Sequence, residues 1–340
     1  MRKQPLQAKQ GEVAFRKDLA QQHFRKKTVF HHEYSTSEMA RVLREKMERC
    51  RQDFIRLRNL GITLSPFLEI GSGYGQAALL LADEFQAEGF ASDIALDPLK
   101  EISRVAKTRK LSRLPRLLVF DAEAIPFPDN SLPFVFCYQT LHHFPHPLSV
   151  TREVHRVLSP NGVFFFAEEP VAQSFNLKLW YRPTKLRWWE TMLKTMLILP
   201  FISRIGKTEV DHHIIEDAFT LKVWDQALEP FEIMETRLEP FPFGPAGSLE
   251  KRNPLNRIFL FFLGGGIRGI VRKKGREVRT SFPPLPRRQA GRFACPSCRN
   301  RPLLTNTKNG FRCPQCADVY PVKNNIPLLI RKQERTSLYG

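Results

Sequence analysis

The sequence predicts an α/β fold, with a doubly wound, mostly parallel sheet followed by a small C-terminal domain held by metal. Three observations carry this reading. Between Ser65 and Pro170, five short apolar runs alternate with helical stretches, and strands separated by helices imply a parallel sheet covered on both faces. The first run is followed at once by a turn containing Gly71, Gly73 and Gly75 and then by a helix. Near the other end, Cys295, Cys298, Cys313 and Cys316 form two tight pairs, which in a reducing compartment point to metal ligation and not to disulfides.

The elements follow in order. Residues 1–34 are polar and basic without a sustained period, and no function is read from them. Ser35 and Glu38 then stand at capping-box spacing, and Met39, Leu43, Met47, Cys50, Phe54 and Leu57 recur at steps of four and three. That is an amphipathic helix ending before Gly61, with Cys50 a buried thiol on its apolar stripe. Strands are expected at 67–70, 89–94, 117–120, 134–138 and 163–167, with a helix at 76–85 after the glycine turn. The expected division is 1–60 for the basic segment and amphipathic helix, and 61–170 for a ligand-binding core. Residues 171–250, aromatic at Trp180, Tyr181, Trp188 and Trp189, would supply a substrate cap and the remaining core elements. From Glu250 to Arg292 the chain carries 12 basic and 2 acidic residues and the run SFPPLPRR, so 251–292 is expected to be a basic, partly proline-rich linker. Residues 293–331 would form the metal-held ribbon.

Bulk properties set outer limits. At 340 residues and 42% apolar content the chain can bury a sizeable core. Lys plus Arg exceed Asp plus Glu by 53 to 34, a net +19, which favours phosphate-rich partners such as RNA or an anionic membrane surface. The basic N-terminal stretch has no apolar segment behind it, so no secretory signal is read, and a cytoplasmic location, in part peripheral to the membrane, is expected. The longest apolar stretches, 196–202 and 258–267, fall short of the ~20 residues that span a bilayer.

Ligands of parallel sheets sit beyond the carboxyl ends of the strands, which directs attention to the strand tips. The first strand ends in Glu69 and the glycine turn, whose residues let backbone approach a ligand closely. Eighteen residues after Gly75 the second strand delivers Asp93, placed to accept hydrogen bonds from ribose hydroxyls; Asp97 competes for that role. The third strand ends at Phe120, Asp121 and Ala122, where an acid can accept a bond from an adenine amino group.

The segments EIGSGYG, ASDI, FDAEAIPFPDNS, LHHF and EVHRVLSPNGVFFFAEEP, in this order, resemble the successive motifs of class I S-adenosylmethionine-dependent methyltransferases of the type-11 branch, which are Rossmann-like. The resemblance covers about residues 61–170. It implies that Glu69 and the glycine turn hold the methionine part, Asp93 the ribose, and Asp121 with Ala122 the adenine, while Tyr138 and Gln139 line the methyl-donor side. A dehydrogenase is the rival for a glycine turn with an acid. Its G-x-G-x-x-G spacing is not met by G-S-G-Y-G, and the D-A-E-A-I-P-F segment has no role in a dinucleotide site. Pro133 stands where the resembling enzymes often have Asp, which leaves the start of the fourth strand open.

Methyl transfer from a sulfonium is an in-line displacement, so positioning and exclusion of water supply much of the catalysis. If the acceptor must lose a proton, candidate bases are His143 and Glu169, with His142, Glu168, His212 and His213 behind them. Cys137, Tyr138, Gln139 and Thr140 do not form the Asn/Asp-Pro-Pro-aromatic motif of enzymes that methylate amino or amide nitrogens, so adenine N6 and glutamine are not expected acceptors. Cys137 lies in an apolar strand, where a thiolate is disfavoured.

The two C-x-x-C pairs are separated by 14 residues, a spacing at which four thiolates satisfy a tetrahedral, structural Zn2+; a redox dithiol is the alternative. FACPSC through FRCPQCADVYPVKNNIPLLI also resembles the small zinc-ribbon activators of methyltransferases acting on transfer RNA, ribosomal RNA and release factors. That resemblance implies a fused activator docking on the enzyme's own sheet. The expected activity is S-adenosylmethionine-dependent methyl transfer to an unidentified acceptor, leaning to O- or C-methylation of a small molecule, lipid or glycan. RNA or the translation machinery is the alternative acceptor, and an inactive scaffold is a third reading.

Overall fold

The structure is a computed structural model and describes residues 5–26, 36–108, 110–173, 175–183, 185–215, 218–240, 249–250, 253–275 and 293–339. Two helices lead, α1 (Pro5–Lys26) and α2 (Thr36–Asn59). Alternating elements follow: β1 (Phe67–Ile70), α3 (Gln76–Asp83), β2 (Gly89–Asp93), α4 (Leu96–Thr108) and β3 (Arg116–Val119). Then come β4 (Leu132–Tyr138), α5 (Pro147–Val157) and β5 (Leu158–Val171). A small unit contains β6 (Trp180–Arg182), α6 (Trp188–Thr195), α7 (Leu199–Ile202), β7 (Ser203–Ile205) and α8 (Lys207–Asp211). The sheet resumes after α9 (Leu221–Leu228) with β8 (Glu232–Pro240), β9 (Leu249–Glu250), α10 (Pro254–Leu263) and β10 (Gly265–Arg272). Strands β11 (Thr305–Thr307), β12 (Gly310–Arg312), β13 (Val319–Lys323) and β14 (Ile326–Pro327) precede α11 (Lys332–Tyr339).

Eight strands share one sheet in the order β3-β2-β1-β4-β5-β10-β8-β9. Neighbours from β3 through β5 are parallel, and β10 runs antiparallel between β5 and β8. Period-two alternation sends the strand side chains to two cores. Leu68, Phe90, Val135, Phe164 and Phe166 face one way, against α5 and α9. Phe67, Ala91, Phe134, Phe136 and Phe165 face the other, against α2, α3 and α4. Central strands buried on both sides are expected to be near-continuously apolar, and β1, β2 and β4 are buried at every position. Trp224 of α9 stacks on Phe166 at 5.7 Å between ring centroids, both fully buried; burial of each such ring contributes roughly 3 kcal/mol.

The five expected core strands are present, with ends moved by a few residues and β5 much longer than 163–167. Pro133 lies inside β4, and the β4–β5 register slips between Leu132 and Phe134, the irregularity expected of a residue with no N–H to give to the ladder. The amphipathic helix forms as α2, its Cys50, Phe54 and Leu57 buried; the Ser35 half of its capping box lies outside the described residues.

The linker reading of 251–292 is corrected. Residues 253–275 form α10 and the interior strand β10, whereas 276–292 lie outside the described residues. The strand was hidden by its glycines and charges, each of which has a local cause. A side chain at Gly269 would place its Cβ 2.5 Å from the Phe166 ring, so only glycine lets β10 sit against β5 there. Arg268 forms an ion pair with Asp53 of α2, and Arg272 with Glu232 of β8 at 2.9 Å.

The C-terminal ribbon docks on the outer edge of β3. Leu329 N–H donates to Val119 O at 2.8 Å, and Ala294 N–H to Pro126 O at 3.0 Å. Phe293 is buried among Phe90, Phe127 and Phe311. An exposed strand edge is thereby covered. Among the described residues no helix is long and apolar enough to cross a membrane.

Candidate active site

A cavity opens beyond the carboxyl ends of β1 to β4, the place where ligands of parallel sheets bind. Its floor is built from the strand tips: Ile70 and Gly71, Ser92 and Asp93, Phe120 to Ala122, then Gln139 and Thr140. One wall is His143 to Pro145 with Ile214 and Ile215, and the roof is α1 through Ala8, Lys9, Glu12 and Arg16.

Gly71 has φ 64°, and a Cβ there would lie 2.4 Å from the Thr140 side chain; glycine is required because two strand tips meet. Gly73 donates its N–H to Asp93 Oδ2 at 2.9 Å. Gly75, at φ 68°, caps α3 and has the Ile102 side chain 2.5 Å from where its Cβ would be. Gly73 and Gly75 shape the turn from behind and do not line the cavity.

Glu69 also stands behind it. The carboxylate is buried and accepts from Ala78 N–H, in the first turn of α3, at 3.1 Å. Burial pushes its pKa up to about 8, against the opposing charge of Lys46 and the hydrogen bond from Ala78. Asp93 does line the cavity; its Oδ1 accepts from Ala95 N–H at 2.9 Å, and burial raises its pKa although the Arg16 charge opposes this. Asp97, its rival in the sequence, pairs instead with Lys100 at 2.9 Å, one turn along α4. Asp121 accepts from Glu123 N–H at 3.0 Å and takes the Lys9 ammonium at 2.6 Å. Ala122 and Gln139 also line the cavity.

Tyr138 does not, which corrects its assignment to the donor side. Strand alternation turns it to the α2 face, where its hydroxyl donates to Asp53 Oδ2 at 3.2 Å. Gln139, one residue later, leaves the strand at φ 51° and turns inward.

The two base candidates separate. Glu169 is fully buried and absent from the cavity lining. Its oxygens accept from the backbone N–H groups of Thr140, Leu141 and His142 at 2.7, 3.0 and 3.2 Å and lie 2.9 Å from His142 Nδ1. Burial works against the charge, but the His142 contact and these donors outweigh it and lower the pKa. Glu169 therefore fixes the loop after β4 and is corrected from base to positioning residue. His143 lines the cavity, and its Nδ1 is 3.0 Å from Ile215 O. A carbonyl only accepts, so Nδ1 carries the proton and Nε2 the lone pair. Burial, then His142, holds its pKa down to about 4, leaving it neutral but a weak base. Glu168 turns away to Arg49 at 3.1 Å, and His212 packs on Phe15.

The sequence reading missed α1. Lys9 binds Asp121, Glu123 at 3.0 Å and Glu334 of α11 at 2.9 Å. Burial opposes its charge, yet the Asp121 charge and hydrogen bond, with Glu334 and Glu123, raise its pKa. Glu12 pairs with Arg16 at 2.7 Å, and its other oxygen has no hydrogen-bond partner among the described residues. A buried acceptor without a partner, beside two strand-tip carboxylates and a backbone stripped of Cβ atoms, fits a ligand bearing hydroxyl and amino donors. The available signal was helical spacing of charges at Lys9, Glu12 and Arg16; an apolar stripe was absent because the face over the cavity is charged.

In the ribbon, the four cysteine Sγ atoms lie within 4.8 Å of one another, with Cys295–Cys316 at 3.8 Å and Cys298–Cys313 at 3.7 Å. Four sulfurs each about 2.3 Å from a central ion stand about 3.8 Å apart in a tetrahedron, so the cluster is compatible with a bound metal.

With this geometry in view, a methyltransferase domain model matches residues 68–166. The YcgJ protein of Bacillus subtilis, described as an uncharacterized methyltransferase, is 33% identical over 116 residues, 32% of this chain and 44% of that protein. A demethylmenaquinone methyltransferase of Geobacillus kaustophilus is 29% identical over 186 residues, 53% of this chain and 75% of its own. The match thus spans less than half the length of the first of these relatives. A solved S-adenosylmethionine-dependent methyltransferase from Methanosarcina mazei superposes with a TM-score of 0.40 at 19% identity, over 64% of this chain and 96% of that one. The family match falls on the strands whose tips carry the glycine turn, Asp93 and Asp121, and residues 68–166 form a class I S-adenosylmethionine-dependent methyltransferase domain.

Proposed function

We propose that the protein transfers a methyl group from S-adenosylmethionine to a small or lipidic acceptor. The observation that carries this is the opening of Asp93 and Asp121, on adjacent strand tips, into one cavity beside the Gly71 turn. In this reading Asp93 accepts from the ribose hydroxyls, and Asp121 with Ala122 holds the adenine edge. Glu69, Gly71, Gly73 and Gly75 shape the pocket for the methionine part, and Gln139 lies on the donor side. The acceptor enters along His143, Phe144 and Ile215, so part of the 171–250 segment acts as a substrate cap. His143 Nε2 takes a proton only from an acidic acceptor, since a base of pKa near 4 is weak. The relative named for demethylmenaquinone supports an apolar acceptor. The +19 charge favours RNA or the translation machinery as the second reading. The ribbon's ion is taken as a structural zinc, and the compartment as cytoplasmic.

Titration calorimetry of S-adenosylmethionine into wild type and Asp93→Asn tests the site. Binding is expected, weakened about tenfold or more by the substitution, in keeping with the loss of hydrogen bonds to a charged acceptor. No heat in wild type would overturn the reading. Transfer of labelled methyl into fractionated extract then identifies the acceptor, label in RNA favouring the second reading.

A further inference from the structure

Exposed apolar side chains are concentrated in one region. Of the twenty large hydrophobic residues exposed among the described residues, thirteen lie in 175–205 and 254–263. Phe175, Leu179, Trp188 and Met196 are each more than 60% exposed. On α10, Leu255, Ile258 and Phe262 recur at steps of three and four, all exposed, while Leu260 on the opposite side is buried. A core-facing helix would have this stripe covered, and an apolar surface left open on this scale marks an interaction site.

The two segments meet. The Gln173 amide donates to Phe175 O and Pro200 O, both at 2.8 Å, joining the ends of the 175–205 unit. Gly264, which caps α10, lies so close to Gln173 that a Cβ there would be 3.1 Å from the Gln173 Cβ. The C-terminal end of α10 therefore abuts the unit.

Charge selects the occupant. Residues 172–207 hold seven Lys and Arg and one acid, Glu190. Glu190 is fully buried, accepting from Trp180 Nε1 and paired with Arg187 at 2.8 Å, so the charge this segment shows to solvent is positive, with Lys178 and Lys194 exposed. A second copy would present the same positive face and be repelled. RNA would engage the lysines but leave the aliphatic side chains in water. A bilayer with anionic headgroups satisfies both, with acyl-chain boundary for Trp188 and Phe262 and phosphate for the lysines. We propose that the 175–205 unit and α10 together form a docking face for an anionic membrane surface, on which the protein lies without crossing. This goes beyond the methyl-transfer reading and does not depend on it.

Flotation of the full-length protein with vesicles tests the face in the absence of S-adenosylmethionine. Binding is expected to vesicles of equal parts phosphatidylcholine and phosphatidylglycerol, and to be much weaker to phosphatidylcholine alone. Trp188→Ser with Phe262→Ser is expected to weaken it about tenfold or more while leaving the thermal melt unchanged, and Lys178→Glu with Lys194→Glu to remove the preference for phosphatidylglycerol. Three results would overturn the proposal: no binding to either vesicle; binding that survives the apolar substitutions and vanishes in high salt, the mark of a general polyanion site; or a dimer in sedimentation that Trp188→Ser with Phe262→Ser dissociates.

Discussion

Glu69 gives the sharpest check on the cofactor assignment because its protonation in the free protein is unusual. With a pKa raised to about 8 by burial, a single group at pH 7 is about nine-tenths protonated. S-adenosylmethionine brings an ammonium and a sulfonium. If its methionine part settles against Glu69, as the resemblance implies, the ionised form becomes favoured and a proton must leave. Binding at pH 7 should therefore release about 0.9 proton from this residue, falling toward about 0.1 at pH 9, where the free protein has already lost it. Calorimetry in buffers of low and high ionisation enthalpy measures the number directly. Asp93 also has a raised pKa, so the decisive quantity is the difference between wild type and Glu69→Gln, whose amide oxygen can still accept from Ala78 N–H. Equal release by the two proteins would show that Glu69 does not meet the ligand's positive charge, and the methionine end would have to be placed elsewhere.

Other consequences are simpler to read. Lys9→Met should destabilise the protein by about 3 kcal/mol in denaturant unfolding, because it leaves the buried Asp121 without its cation. Glu169→Ala strands three backbone N–H groups and should lower kcat by misplacing Gln139 to His143, whereas Glu169→Gln, keeping an acceptor, should recover part of the loss; a pH–rate profile unchanged in shape would confirm a positioning role. His143 has a folded pKa near 4, below its unfolded value of about 6.5, so the unfolded chain binds the extra proton. Stability is then complete above pH 6.5 and declines as pH falls toward 4, and His143→Asn should flatten that part of the unfolding curve. Cys298→Ser should reduce bound metal measured by elemental analysis and lower the melting temperature, since the ribbon's fold and its ion are coupled.

Much of the core was legible because it obeys one rule at a time. Apolar runs such as Phe67–Ile70 have no polar residue on either face except Glu69, and Asp93 and Asp121 each follow a run at its carboxyl end. The cysteine pairs were readable for the same reason: spacing alone specified the cluster. Three features were not. Tyr138 and Gln139 are neighbours, and sequence proximity to the site gave no sign that strand alternation would send one away. β10 reads as a linker because its glycine answers to Phe166 and its arginines to Asp53 and Glu232, partners 40 to 215 positions away. α1 defeats a search for hydrophobic stripes, because the side it turns to the cavity must meet carboxylates and a polar ligand. For β10 and α1 the missing information was the identity of a distant partner.

Lys9 also ties together parts of the molecule that the chain keeps far apart. Its ammonium bridges Asp121 at the cavity floor and Glu334 on α11, the helix that follows the cysteine cluster, and Tyr339 of that helix accepts from Leu96 N–H just beyond β2. Under the proposed seating of adenine at Asp121, such a brace links the two sites: whatever loosens the ribbon weakens nucleoside binding, and a bound nucleoside in turn raises the equilibrium affinity for the ion by the same factor. Depletion of the metal would then register first as a weaker grip on the methyl donor, before the sheet itself gives way.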